Sequence, residues 1–120
     1  MKNQRVLIVG FGFMGEMHVQ ALAGIPGVEI AGIVDVVPQA ARDKVVRLGL
    51  ALPVFDRLEM GLRETDATIV NVCLPTDQHA NASIQALEAG KHVFCEKPVA
   101  ISLPEARRIR TAHRKTAAFF

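Results

Sequence analysis

At 120 residues the chain suits one domain with a single core and is short for a complete two-domain enzyme. Half of its residues are apolar, mean hydropathy is +0.25 and the formal net charge is only +2, which argues against a disordered tail or a nucleic-acid module and for a sheet covered on both faces. Cys73 and Cys95 lie in strand-like apolar runs and suggest neither a disulfide framework nor a zinc pattern, and no apolar stretch reaches membrane-spanning length, so a cytoplasmic protein with buried thiols is expected.

In chain order, strand and helix patterns alternate, as in a parallel sheet with crossover helices. A first strand is expected near Arg5 to Val9, and the cluster Gly10-Phe11-Gly12-Phe13-Met14-Gly15 follows it directly, opening a helix from about Met14 to Ala23. A second apolar run, Val28 to Val34, ends in Asp35, about 20 residues beyond the glycines. Pro38 to Leu48 reads as a second helix stopped by Gly49, and Pro53-Val54 as a short third strand. Asp56 is expected to cap a short helix through Leu62. The β-branched run Ala67 to Leu74 reads as a buried strand, and Thr76 as the N-cap of a helix that ends at Gly90. His92 to Cys95 makes another strand. Ser102 and Glu105 have capping-box spacing for a helix to about Lys115, and Ala117 to Phe120 reads as the opening of a further strand. The basic residues Arg107, Arg108, Arg110, Arg114 and Lys115 fit a solvated helix face, with no interleaved aromatics to stack on bases.

Strand, glycine turn, helix, strand and acid in this order form a dinucleotide-binding grammar. A pyrophosphate must approach backbone N–H groups at a helix N-terminus closely, and a Cβ would block it. Gly10 is assigned the tight turn, Gly12 the room for pyrophosphate and Gly15 the close helix packing. Asp35 is placed to accept from the adenosine ribose hydroxyls; its alternative is a turn or cap residue before Pro38. No Lys or Arg follows Asp35 before Arg42, which favours NAD over NADP. Two further strand ends, Leu74-Pro75-Thr76-Asp77-Gln78-His79 and Phe94-Cys95-Glu96-Lys97-Pro98, belong on the same side of an open parallel sheet.

The glycine loop with His18, the Pro75-Thr76 to His79 segment and, above all, Ala89-Gly90-Lys91-His92-Val93-Phe94-Cys95-Glu96-Lys97-Pro98 resemble the glucose-fructose oxidoreductase and inositol dehydrogenase family, written Gfo/Idh/MocA. The likeness runs the whole length of the chain, and its Glu-Lys-Pro segment is far more specific than the glycines. The resemblance implies a Rossmann-type doubly wound α/β domain, three layers α/β/α, in an NAD(P)-dependent oxidoreductase acting on a sugar, polyol or related hydroxy compound. It also implies a larger second α/β domain, not found in these residues, that supplies an Asp and a His for proton transfer.

By the same resemblance Lys97 lies by the nicotinamide and the substrate hydroxyl, and His79 lines the cofactor cleft. An ammonium at that place steadies a developing alkoxide while the carbon releases hydride. The plain alternatives are a surface lysine for Lys97, a solvated acid for Glu96 and a helix-end histidine bonded to backbone for His79. His18 reads as a packing or polar-face residue, Pro98 as a residue that fixes its loop, through a cis peptide or the commoner trans form, and the four histidines show no metal-ligand spacing. The expected cofactor-binding set is therefore Gly10 to Gly15, Asp35, Leu74, Pro75, Thr76, His79, Glu96 and Lys97, with Lys97 also catalytic. The leading expectation is a cofactor domain that binds NAD and does not turn over substrate unaided; the alternatives are a stand-alone NAD sensor or complementing subunit, and an S-adenosylmethionine domain, against which Glu96-Lys97-Pro98 argues. Exposed apolar surface near the last helix and Phe119-Phe120 is expected to promote self-association.

Overall fold

A computed structural model describes residues 3–120. Five parallel strands, β1 (Gln4–Val9), β2 (Val28–Val34), β3 (Val54–Phe55), β4 (Ile69–Val72) and β5 (His92–Cys95), lie in the order β3-β2-β1-β4-β5. The helices between them are α1 (Phe13–Ala23), α2 (Pro38–Arg47), α3 (Leu58–Glu64) and α4 (His79–Glu88), with α5 (Leu103–Arg114) after the last strand.

Alternation along β1 explains the layers. Val6 and Ile8 point to one face, where Val19 of α1 and Ala41 and Val45 of α2 cover them. Leu7 and Val9 point to the other, against Leu58 of α3, Ala80 and Leu87 of α4 and Ile109 of α5. The sheet is thus doubly wound, and the chain reverses its direction of advance between β1 and β4. Because every strand is parallel, the ends of β1, β2, β4 and β5 open onto one edge, where ligands of such sheets bind.

Local chemistry fixes several boundaries differently from the expectations. Asp56 does not cap α3: Arg57 occupies that place, no side chain accepts from the first turn, and the helix runs to Glu64. Thr76 opens a 3₁₀ turn, Thr76–Gln78, ahead of α4 and makes no side-chain cap. The Lys97–Pro98 peptide is cis, the less common of the two forms expected there. The cap at Ser102 is present, its Oγ accepting from Glu105 N at 3.3 Å while Glu105 Oε2 accepts from Ile101 N at 3.3 Å. The last residues form no regular strand, although Val93 N donates to Phe119 O at 2.8 Å along the outer side of β5.

Candidate cofactor site

The glycine loop is built by three different steric demands. Gly10 has φ +92°, a left-handed conformation, and a Cβ there would sit 2.7 Å from the carbonyl oxygen of Cys73. At Gly15 a Cβ would lie 2.0 Å from Gly10 O, so what it permits is seating α1 on its own loop as well as on Ile8 of β1. A Cβ at Gly12 would meet nothing within 4 Å. Gly12 is the N-cap of α1 and supplies no side-chain cap, leaving the first-turn N–H groups of Phe13, Met14 and Gly15 without intrahelical partners; the first helical bond is Glu16 N to Gly12 O at 3.1 Å. That end of the helix carries a partial positive charge facing open space.

Asp35 ties the end of β2 to this loop. Its Oδ2 accepts from Phe11 N at 2.9 Å and its Oδ1 from Val37 N at 2.8 Å, so the carboxylate orients the turn while each oxygen keeps a lone pair for another donor. The turn role and the acceptor role are therefore compatible in one side chain. The Phe11 ring is buried and its N–H is taken by Asp35, so this residue shapes the loop from beneath; the side chains of Phe13 and Met14 are exposed. Beside Asp35 opens a cavity of about 400 Å³, lined among others by Val36, Arg57, Leu74, Gln78 and Asn81.

Two residues outside the expected set make specific polar contacts near the site. Lys44 Nζ donates to Phe11 O at 2.7 Å, lies 3.5 Å from Glu16 Oε2 and stands 5.1 Å from the Phe11 ring centre. Its position three residues after Ala41 and one before Val45 puts it on the inward stripe of α2, and that periodicity was the available signal. Asn71 is the other: a buried amide in a strand otherwise made of Ile and Val, itself a sequence signal for a specific partner.

The ends of β4 and β5 meet through His79. Its Nδ1 lies 2.7 Å from Pro98 O and its Nε2 2.7 Å from Leu74 O; carbonyl oxygens only accept, so a neutral ring donates its single N–H to one of them and only abuts the other. The ring is buried between these two carbonyl oxygens, as expected of a histidine bonded to backbone, and it stands where the Leu74-Pro75 and Pro98 segments meet. Leu74 lines the cavity, while Pro75 and Thr76 form the turn below it, Pro75 O accepting from Gln78 N at 2.9 Å. Glu96 is half-buried, its Oε1 2.7 Å from His18 Nε2 and its Oε2 accepting from Lys97 N at 3.2 Å. Lys97 is exposed at the same sheet edge.

The cysteines are free and poorly ionised. Burial, aided by the nearby Glu96 charge, pushes the Cys73 thiol up to about 12, and burial likewise raises Cys95. Among the described residues no group of three or more His, Cys, Asp or Glu is arranged to hold a metal ion, and no helix is long and apolar enough to cross a membrane.

The family model for GFO_IDH_MocA, described as an oxidoreductase family with an NAD-binding Rossmann fold, matches residues 4–120. The chain belongs to this family. Among curated relatives, the Gfo/Idh/MocA chain is 29% identical over 109 residues to inositol 2-dehydrogenase of Salmonella typhimurium, covering 90% of this chain and 32% of that protein. It is 33% identical over 112 residues to 4-carboxy-2-hydroxymuconate-6-semialdehyde dehydrogenase of a Sphingobium species, covering 93% and 35%. Among solved structures, the WlbA dehydrogenase of Chromobacterium violaceum, crystallised with NADH and UDP-GlcNAcA, superposes with a TM-score of 0.89 at 30% identity, covering 98% of this chain and 34% of that one. The chain thus spans about a third of the length of the relatives it matches.

Proposed function

We propose that this Gfo/Idh/MocA domain holds NAD along the carboxyl edge of its sheet and serves an oxidoreductase acting on a carbinol of a sugar, polyol or related hydroxy compound. The observation that carries the reading is the meeting of an open Gly12 N-cap, the Asp35 carboxylate and the Glu96-Lys97 strand end on one edge. The residues fit the cofactor: the space at Gly12 and the free first-turn N–H groups suit a pyrophosphate, and the remaining lone pairs of Asp35 suit ribose hydroxyls. The cavity lined by Val36, Leu74, Gln78 and Asn81 suits the adenine.

When bound, the nicotinamide supplies the hydride acceptor or donor. Lys97 Nζ, at the end of β5, presents an ammonium that steadies negative charge on the substrate oxygen as its proton leaves. Glu96 holds the backbone from which Lys97 projects, and His79 holds the following Pro98 carbonyl. The rest of the substrate surface and the proton acceptor come from residues beyond this chain, so the domain by itself binds cofactor without turnover. NAD is favoured over NADP because Asp35 repels a 2′-phosphate and Lys44 is already engaged by Phe11 O and Glu16; Arg57, at the cavity wall, is itself paired with Asp56 at 3.6 Å. The site's thiols are free, and a cytoplasmic setting accords with them.

The test is a titration of the purified chain with NADH and NADPH, followed by nicotinamide fluorescence against a protein that has neither Trp nor Tyr. The expected result is NADH binding at least about tenfold tighter than NADPH, lost by about tenfold or more in Asp35→Ala, which removes two ribose-facing acceptors of a charge-assisted kind. Equal binding of both dinucleotides by the unaltered chain would refute the specificity, and preferential binding of S-adenosylmethionine would refute the whole reading.

A further inference from the structure

On the α1 side of the sheet, three polar side chains far apart in sequence form one chain of hydrogen bonds. Asn71 Nδ2 lies 2.8 Å from His18 Nδ1, and His18 Nε2 lies 2.7 Å from Glu96 Oε1. The other Glu96 oxygen accepts from Lys97 N, and Asn71 Oδ1 takes the Cys73 thiol at 3.6 Å. Asn71 is 2% exposed, and the His18 and Glu96 side chains are 15% and 20% exposed. Asn71 stands opposite Phe94 in the β4–β5 ladder, and the His18 ring packs on Phe94 with centroids 5.8 Å apart.

The directions of these bonds follow from the acceptor at one end. A carboxylate only accepts, so the nitrogen facing Glu96 carries hydrogen; in a neutral ring Nδ1 is then an acceptor, and the Asn71 amide must present its NH₂. An apolar trio would cover this part of the sheet without burying an amide and a carboxylate, which cost free energy to remove from water. What the polar trio provides instead is direction, because it ends on the backbone N–H of Lys97.

We propose that His18 and Asn71 are positioning residues for Lys97: Asn71 holds the imidazole as its Nε2–H tautomer, His18 holds the Glu96 carboxylate, and Glu96 fixes the backbone from which Lys97 reaches the reacting oxygen. The role assigned to Lys97 rests on the function proposed above; the hydrogen-bond chain does not.

The experiment uses the 120-residue chain without cofactor, labelled with ¹⁵N. Ring-nitrogen NMR at neutral pH is expected to show His18 as the Nε2–H tautomer. His18→Leu is expected to raise hydrogen exchange at the Lys97 amide by up to about tenfold, the equivalent of one hydrogen bond, and His18→Gln, whose amide donates to Glu96 and accepts from Asn71, to restore it toward the unaltered value. A His18 ring protonated at Nδ1 or at both nitrogens, or Lys97 exchange unchanged in His18→Leu, overturns the proposal. If His18→Leu does not fold, the ring tautomer together with Lys97 exchange in Asn71→Leu decides in the same way: faster exchange supports, unchanged exchange overturns. NADH titration of the unaltered chain is read separately, so loss of the cofactor reading and loss of the hydrogen-bond chain give different results.

Discussion

Gly12 and Gly15 belong to the same motif, yet alanine at each should do different damage. At Gly15 the new Cβ would lie 2.0 Å from Gly10 O, a backbone atom, so helix and loop must part by about 1 Å or more to regain van der Waals contact. Overpacking of this kind costs about 1–3 kcal/mol and more where nothing yields. Alanine returns about 1 kcal/mol of helix propensity; because the atom met is backbone and cannot swing away, the upper end of the range applies and a net loss of about 2 kcal/mol remains. Against a total stability of about 5–15 kcal/mol for a small domain, that is a large share. At Gly12 the Cβ meets no atom, and replacing an N-cap glycine costs at most about 1 kcal/mol. Urea unfolding followed by far-ultraviolet circular dichroism measures both, since the chain has no Trp or Tyr to report by fluorescence. Gly15→Ala should lower the midpoint clearly with an unchanged slope. Gly12→Ala should unfold near the unaltered midpoint while binding NADH at least about tenfold more weakly, because its Cβ fills the space left for the pyrophosphate. Equal stability of Gly15→Ala and the unaltered chain, or a larger loss in Gly12→Ala, would refute the division of labour within the loop.

Cys73 should resist alkylation. With its thiol raised from 9.0 to about 12, iodoacetamide at pH 8 meets about a thousandfold less thiolate than in the urea-unfolded chain, and mass spectrometry of the modified peptide reads the difference; equal rates folded and unfolded would contradict the burial argument. The same shift has a sign for stability. The folded state keeps a proton that the unfolded state releases, so the contribution is complete below pH 9 and declines as pH rises from 9 toward 12, which unfolding midpoints across that range will show. Ser83 Oγ is fully buried and, among the described residues, has no hydrogen-bond partner stronger than the Cys95 thiol beside it, so Ser83→Ala should leave the stability unchanged to within about 1 kcal/mol. A loss above about 1 kcal/mol in the melting curve would mean that the hydroxyl has a stronger partner than that thiol.

Residue type and spacing alone specify the parts of this domain that depend on local rules. The alternation of apolar runs with capped helices gave the parallel sheet and its order of elements; the left-handed turn at Gly10 and the acid at the end of β2 follow from residue type and spacing. The Ser102–Glu105 cap is legible for the same reason, since its partners lie within one turn. Boundaries such as Arg57 in place of Asp56, or the 3₁₀ turn at Thr76, are less legible because neither start uses a side-chain cap, so the polar residues nearby do not mark them.

Which residues work together depends on how the elements pack, not on any local pattern. His18, Asn71 and Glu96 come from α1, β4 and the end of β5, and no local pattern relates them; strand register and the seating of α1 bring them within hydrogen-bond distance. His79 could be read from sequence as lining a cleft or bonding backbone, and its place between two carbonyl oxygens from different strand ends has no local signature. Lys44 sits on the inward stripe of α2 by periodicity, but its contact with Phe11 O needs β1 and β2 to be neighbours. Periodicity sets which face of an element is inward, while the partner across the gap is set by packing between elements, and that is a property of the folded chain.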